Sequence, residues 1–306
     1  MGILALWLAF RGVDWKVLRS ALLSLNYSIA SLALLTVLIT LLVSTARWRL
    51  LFFPDHRELR FGNLFSGIVL AQMLNIVIPA RLGDVARLYA VESGGRHTKV
   101  RILTTVVVEK AVDLTMLALT VILLLLTVSL PTWVRESGRA LLVSSVVAIA
   151  VVLLLSSREE AFLAWLERMA EKVPGIWGNR LVRVGRSALD GFSAIRSGQI
   201  SLYVWGLSLV ILVLAALTNY LLFLALDLRL PPIAALFLLI VLQVGIAPPS
   251  LPGKIGVFHY LTVLGLSVYS VEKSVALSYA IVLYVVALMP KIVIGTGILA
   301  FKKPPR

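Results

Sequence analysis

The chain of 306 residues is 60% hydrophobic and only 14% charged, with a mean hydropathy of +0.98 and a formal charge of +14. A soluble globular protein is nearer half apolar and a quarter charged, so a soluble core is excluded and a single integral membrane domain, residues 1–306, is expected. The absence of cysteine removes disulfides, thiolate nucleophiles and cysteine metal sites, while positive-inside loops and anionic lipid head groups account for the basic balance without a nucleic-acid partner.

Residues 1–10 precede Arg11 and are too few to span a bilayer core, which needs about 20 residues. They lack a basic n-region and a small-residue cleavage site, so a truncated first helix or a late-called start is expected rather than a signal peptide. Residues 27–46 form a clean apolar run closed by Arg47-Trp48-Arg49, the pattern of an interface anchor with Trp at head-group level and Arg snorkelling outward. The run 61–78 is apolar but carries Asn63, Gln72 and Asn75; a break at 79–83 follows, then a short segment with Asp84, Arg87 and Glu92. Residues 104–130 are long enough to cross, with Glu109, Lys110 and Asp113 in their first third, and 140–155 is a further span. An amphipathic helix over 158–172, then Arg180, Arg183 and Arg186 at helical spacing, predict that region 157–198 lies on the cytoplasmic face. After a span at 202–226 come two short runs, 233–247 and 257–269, on either side of a second break, and a last span, 274–301, with Pro290-Lys291 inside it.

The two breaks share a pattern. Pro79-Ala80-Arg81-Leu82-Gly83 and Pro252-Gly253-Lys254-Ile255-Gly256 both read proline, any residue, a cation, an aliphatic residue, glycine. Paired interrupted segments in the two halves of a chain point to a transport site. The expected fold is therefore all-α: a polytopic membrane helical bundle with two broken or re-entrant helical hairpins, 61–93 and 233–270, in pseudo-repeated halves. With both hairpins re-entrant, the 47–60 and 94–103 loops, region 157–198 and the C-terminal tail face the cytoplasm, and loops 11–26, 131–139, 227–232 and 271–274 face the other side. The count of basic residues barely separates this from a model of full crossings.

Arg81, Asp84 and Arg87 fall three apart, so Asp84 and Arg87 can pair if the segment is helical. Gly83 permits close approach and Pro79 frees backbone carbonyls. Arg81 either grips a phosphate or snorkels at a helix end. Pro252, Gly253, Lys254 and Gly256 disfavour helix and expose backbone N–H groups, the makings of an anion nest or of a solvent-facing turn. Glu109 and Asp113 are i, i+4 neighbours, and Lys110 can reach Asp113. Each charge costs roughly 2.5–3.5 kcal/mol at the bilayer centre on the insertion scale. The three therefore lie at the interface, which the remaining apolar run favours, or pair with cations such as Arg81 and Arg87. His56, His97 and His259 lack ligand spacing, no metal or cofactor motif is present, and no nucleotide, zinc-hydrolase or serine-hydrolase signature is found. His259 reads as a satisfied polar residue before a proton relay.

These residues carry a resemblance. Asn75-Ile76-Val77-Ile78-Pro79-Ala80-Arg81-Leu82-Gly83-Asp84, then Thr104-Thr105-Val106-Val107-Val108-Glu109-Lys110-Ala111-Val112-Asp113, and Pro252-Gly253-Lys254-Ile255-Gly256-Val257-Phe258, resemble the membrane region of lysylphosphatidylglycerol synthases, a family with many stand-alone, flippase-like members. The likeness extends over nearly the whole layout, including Arg47-Trp48-Arg49. The family pattern has Glu where this chain has Asp84, Arg at Lys110, Gly at Lys254 and Glu at His259. The first two exchanges keep charge; the last two turn an acidic stretch neutral to basic.

The resemblance implies translocation of a lipid between leaflets. The aminoacyl-transferring domain of the synthases is not in this sequence, so synthesis of lysylphosphatidylglycerol is not expected from it. The expected activity is transport of an anionic phospholipid or polyprenyl-phosphate-linked lipid in the plasma membrane of a prokaryote. Arg81 and Lys254 would contact phosphate, while Asp84, Glu109 and Asp113 hold the cations or relay protons. The alternatives are a membrane enzyme or subunit of lipid or glycan transfer, and a non-catalytic anchor for a soluble synthase. A lipid-modifying enzyme or glycosyltransferase is the protein partner expected.

Overall fold

The computed structural model describes residues 2–78, 83–92, 98–127, 132–171, 176–246 and 252–301, and among them every regular element is helical. Five helices are long and apolar enough to cross a membrane. These are α3 (Tyr27–Leu50), α6 (Lys99–Thr127), α7 (Thr132–Ser157, its apolar part Gly138–Ser157), α11 (Gly198–Ala225) and α14 (Lys273–Phe301). Before them stand α1 (Gly2–Phe10) and α2 (Trp15–Leu23). Between them lie α4 (Phe61–Val77), α5 (Gly83–Glu92), α8 (Glu159–Glu171), α9 (Ile176–Asp190), α10 (Ser193–Arg196), α12 (Pro232–Gly245) and α13 (Val257–Ser267).

The surface of this bundle is apolar where a soluble protein would be polar. Leu32, Leu35, Leu126, Val143, Val147, Leu202, Val213 and Val293 are all exposed on the spanning helices. Inside, α3 and α11 run as an antiparallel pair, joined by a hydrogen bond between the Thr36 and Thr218 hydroxyls (2.7 Å) and, at one end, by the Asn26 N–H donating to the Ala225 carbonyl (2.9 Å). Asn26 also caps α3, its side chain accepting from Ser28 N and Ile29 N. Small residues permit the close packing elsewhere. Gly265 of α13 sits against Leu238 and Val241 of α12, and Gly245 of α12 against Leu261 of α13, which fixes those two helices as an antiparallel hairpin. Gly295 of α14 lies against Met73 of α4.

One apolar core joins α3, α11, α12, α13 and α14 around Phe223, Leu238 and Tyr279. The Tyr279 hydroxyl, fully buried, lies 3.2 Å from both the backbone carbonyl and the Oδ1 of Asn219, whose amide donates to the Ala235 carbonyl (3.2 Å). Tyr279→Phe removes a buried donor and leaves its acceptors unpaired. The expected loss is roughly 0.5–1.5 kcal/mol, read as a lower melting temperature in detergent; an unchanged melting temperature would show that Asn219 is satisfied without it.

The ends of the bundle are tied by polar contacts. At one end Arg101, at the start of α6, donates to Asp55 (2.8 Å) and to the Phe52 and Phe53 carbonyls (3.3 and 3.2 Å). The Ser193 hydroxyl donates to the same Phe53 carbonyl, and Arg196 pairs with Glu159 (2.6 Å). The turn after α3, the start of α6 and the α8–α10 region therefore share one face. At the opposite end the Asp14 N–H donates to Ser274 Oγ (3.0 Å), and Lys273 donates to the Leu8 and Arg11 carbonyls. The last contact holds the end of α1, a nine-residue helix packed on α13.

Candidate functional site

The first hairpin is built from α4 and α5, which pack together. Its closest point is Gly83. The Gly83 N–H donates to Asn75 Oδ1 (2.8 Å), and a β-carbon there would lie 2.1 Å from the Ala71 carbonyl oxygen. Only glycine lets the two backbones approach this closely. Pro79, Ala80, Arg81 and Leu82, the heart of the first break, lie outside the described residues.

From Gly83 onward α5 is helical, and Asp84 and Arg87 pair at 3.6 Å with the expected i, i+3 spacing. Arg87 is the first member of a buried chain of charges. Its guanidinium holds both oxygens of Glu109 on α6 (2.7 and 3.3 Å) and lies 5.1 Å from the Trp48 ring. Glu109 is also paired with Arg47 of α3 (3.2 Å). Arg47 in turn holds Asp113 (2.5 Å) and donates to Ser208 of α11 (2.9 Å). The side chains of Arg47, Arg87 and Glu109 are 3–5% exposed, while Asp84 and Asp113 keep 23% and 38%. The two outer carboxylates are thus the open ends of a closed network. Pairing is what makes such burial tolerable, because an uncompensated charge here has no water to replace its partner.

One expectation changes at this point. Arg47 does not snorkel: it is 3% exposed and points into the bundle, and Trp48 beside it is buried, donating from Nε1 to Thr105 Oγ1 (3.1 Å). Arg49 alone turns to the loop, donating to the His56 and Arg57 carbonyls (2.8 and 3.0 Å). Residues two apart on a helix are about 200° apart around it, so Arg47 and Arg49 cannot share a face. Glu109, for its part, follows the pairing alternative: it is buried between Arg87 and Arg47. Lys110 stands on the exposed face of α6, and among the described residues Asp113 pairs with Arg47 rather than with it.

The second break is described from Pro252. Pro252–Lys254 form a 3-10 turn in which Gly253 and Lys254 have φ of 72° and 57°, and Gly256 follows at 87°. Lys254 thus takes the left-handed backbone that a glycine adopts freely. The Gly253 carbonyl accepts from the Tyr284 hydroxyl of α14 (2.8 Å), and the turn packs against α4. The two broken segments therefore meet, with α14 beside both. His259 is buried, its ring 5.1 Å from Tyr284 and 5.9 Å from Phe258, and among the described residues its Nδ1 has no hydrogen-bond partner.

The site so built has two chemically distinct parts. One is a carboxylate–guanidinium network whose arginines are already engaged. The other is a strained turn with Lys254 half-buried, at the junction of α4, α13 and α14. Of the sequence-singled residues, Asp84, Arg87, Glu109 and Asp113 come together; Asn75 and Gly83 close the first hairpin; Pro252, Gly253, Lys254, Gly256 and His259 form the second. Arg47, Trp48, Ser208 and Tyr284 are the participants that hydropathy concealed. Among the described residues no group of three or more His, Cys, Asp or Glu is arranged to hold a metal ion.

Comparison with known proteins gives one result. The family model described as the lysylphosphatidylglycerol synthase TM region matches residues 1–295. Neither a search of curated proteins nor one of solved structures gave a match.

Proposed function

The chain belongs to the lysylphosphatidylglycerol synthase transmembrane family, and from that premise we propose that it moves an anionic phospholipid or polyprenyl-phosphate-linked lipid between leaflets, with no covalent step. The observation that carries the proposal is the buried network of Arg47, Arg87, Glu109 and Asp113, which lies inside an apolar bundle beside two broken hairpins. Ionisable groups at such depth mark pathways by default. In this reading α4 and α12, 17 and 14 residues long, rise about 26 and 21 Å, short of a core of roughly 30 Å. Each enters, turns and leaves by the face it came from. Because α4 follows the turn after α3 and α12 follows the end of α11, the two hairpins enter from opposite faces. We take the face bearing Arg57, Arg60, Arg101, Arg180, Arg183 and Arg186 as cytoplasmic, which puts the C-terminus there too.

The test is exchange of fluorescent phosphatidylglycerol between leaflets of proteoliposomes, with phosphatidylcholine as the neutral counterpart. Wild-type protein is expected to speed exchange of the anionic lipid above protein-free vesicles. Rates equal to those of protein-free vesicles would remove the transport reading. Arg81→Ala combined with Lys254→Ala is expected to slow exchange, and an unchanged rate would take both residues out of the pathway.

A further inference from the structure

The arginines of the ion network are poor candidates for holding a phosphate, since Glu109 and Asp113 already engage their terminal nitrogens. A further cation, Lys291, stands on α14. Tyr284, Leu288, Lys291 and Gly295 are spaced i, i+4, i+7 and i+11, one face of a helix. Tyr284 at one end of this stripe holds the Gly253 carbonyl of the second break (2.8 Å), and Gly295 at the other end lies against Met73 of α4. Lys291 is thus placed between the two broken segments.

Because α4 and α14 run in opposite directions, one turn back from Gly295 on α14 corresponds to one turn beyond Met73 on α4. That is Val77, the last residue of α4. The C-terminal end of a helix carries partial negative charge and favours a cation. Pro290 beside Lys291 also lacks an N–H, so it leaves a carbonyl of the preceding turn without its helical donor.

Lys254 follows the Gly253 carbonyl that Tyr284 holds and is near enough to act electrostatically on half-buried Lys291, and among the described residues no carboxylate pairs with Lys291. Two cations brought to one junction offer a single anion donors from both sides. Lysine ammonium groups bind phosphate as point charges with rotatable donors.

We propose that Lys291 and Lys254 together form a phosphate seat where the two broken hairpins meet, taking the phosphate of a lipid head group. This rests on the transport reading for its purpose and on the α14 stripe for its geometry.

The experiment is a titration of purified, detergent-solubilised protein with short-chain phosphatidylglycerol, short-chain phosphatidylcholine and inorganic phosphate, followed by calorimetry. The variants are Lys291→Met, Lys291→Arg and Lys254→Gly, the last suited to the left-handed backbone at that position. Loss of one charge-assisted contact predicts about tenfold weaker phosphatidylglycerol binding for Lys291→Met and for Lys254→Gly. Lys291→Arg is expected to stay close to wild type.

Preference for phosphatidylglycerol over inorganic phosphate assigns the seat to a lipid head group. Equal binding of both assigns it to free phosphate, with the phosphate chemistry upheld and the lipid overturned. Equal losses in Lys291→Met and Lys291→Arg would show a packing effect and overturn the seat. Wild-type affinity in both Lys291→Met and Lys254→Gly overturns it too, and if wild-type vesicles still exchange lipid the transport reading stands without it. If wild-type vesicles exchange nothing while the variants bind more weakly, transport falls and the seat remains.

Discussion

Replacing Glu109 with glutamine is expected to be among the most destabilising single changes in the described part of the molecule. Glu109 is the one carboxylate shared by both buried arginines, at 2.7 Å from Arg87 and 3.2 Å from Arg47. Glutamine keeps the shape and loses the charge. Arg47 retains Asp113, but Arg87 is left with Asp84 at 3.6 Å and the face of Trp48. Removing one partner of a buried pair typically costs about 3–5 kcal/mol, most of it the penalty of the charge left behind; the surviving contacts argue for the lower end. Denaturation in detergent measures it. The sharper test is the double variant Arg87→Met/Glu109→Gln, which removes the stranded guanidinium as well. It should recover most of the lost stability, because an apolar replacement of a buried pair is often near neutral. A double variant less stable than Glu109→Gln alone would show that Arg87 is held by something other than its charge partner. If the double variant is stable yet exchanges lipid slowly, the network has a role in the pathway beyond holding four helices together.

How much of this was legible in the sequence depends on which property carried each element. The spanning helices follow from uninterrupted apolar runs, and α3, α11 and α14 begin and end within a few residues of where hydropathy places them. The Asp84–Arg87 pair follows from spacing alone. The depth of Glu109 does not. Hydropathy starts the helix at residue 104, whereas the helix begins at Lys99, where the Thr98 hydroxyl accepts from the Arg101 N–H (3.2 Å) and Arg101 is anchored on Asp55. A cap and a long-range ion pair set that boundary, and neither is visible in an apolar run. Five more residues add about 7 Å of helix ahead of Glu109, and its burial comes from Arg47 and Arg87, which no apolar run reveals.

Arg47 was hidden for another reason. The Arg-Trp-Arg sequence fits an interface anchor, and half of it is one: Arg49 meets loop carbonyls. Helical geometry alone forbids Arg47 the same role, but which of the two arginines turns inward is decided by Asp113 and Ser208, residues far away in sequence. Lys254 shows the converse. The resemblance marks it as a departure at a glycine position, and the left-handed backbone found there explains why glycine is the pattern. Lysine at φ 57° carries a conformational cost, which the proposed phosphate seat would account for. Lys291 has no motif at all; only the placement of the α14 stripe between two hairpins gives it meaning.

Gly83→Ala is the second large effect. The constraint is proximity, since an added methyl would lie 2.1 Å from the Ala71 carbonyl oxygen and 2.7 Å from Asn75 Oδ1. The first contact is backbone, so no rotamer change relieves it, and α5 must move off α4. Overpacking of this kind costs roughly 1–3 kcal/mol. The displacement also breaks the Gly83–Asn75 hydrogen bond (2.8 Å) and carries Arg87, one turn along α5, away from Glu109. Asn75→Ala separates the two consequences: it removes the acceptor and leaves the backbones where they are. Gly83→Ala is expected to melt lower than Asn75→Ala, and adding Asn75→Ala to it should not restore stability, because the Ala71 contact remains. Combined with Glu109→Gln, its cost should be less than additive, since the pairing that the displacement disrupts is already gone. Full additivity would mean that α5 can shift without disturbing Arg87, and that the hairpin and the ion network are mechanically independent. Lipid exchange measured on the same variants then tells which of the two the pathway needs: slow exchange in Gly83→Ala with normal exchange in the stable Arg87→Met/Glu109→Gln protein would place the pathway in the hairpin geometry and leave the network as its scaffold.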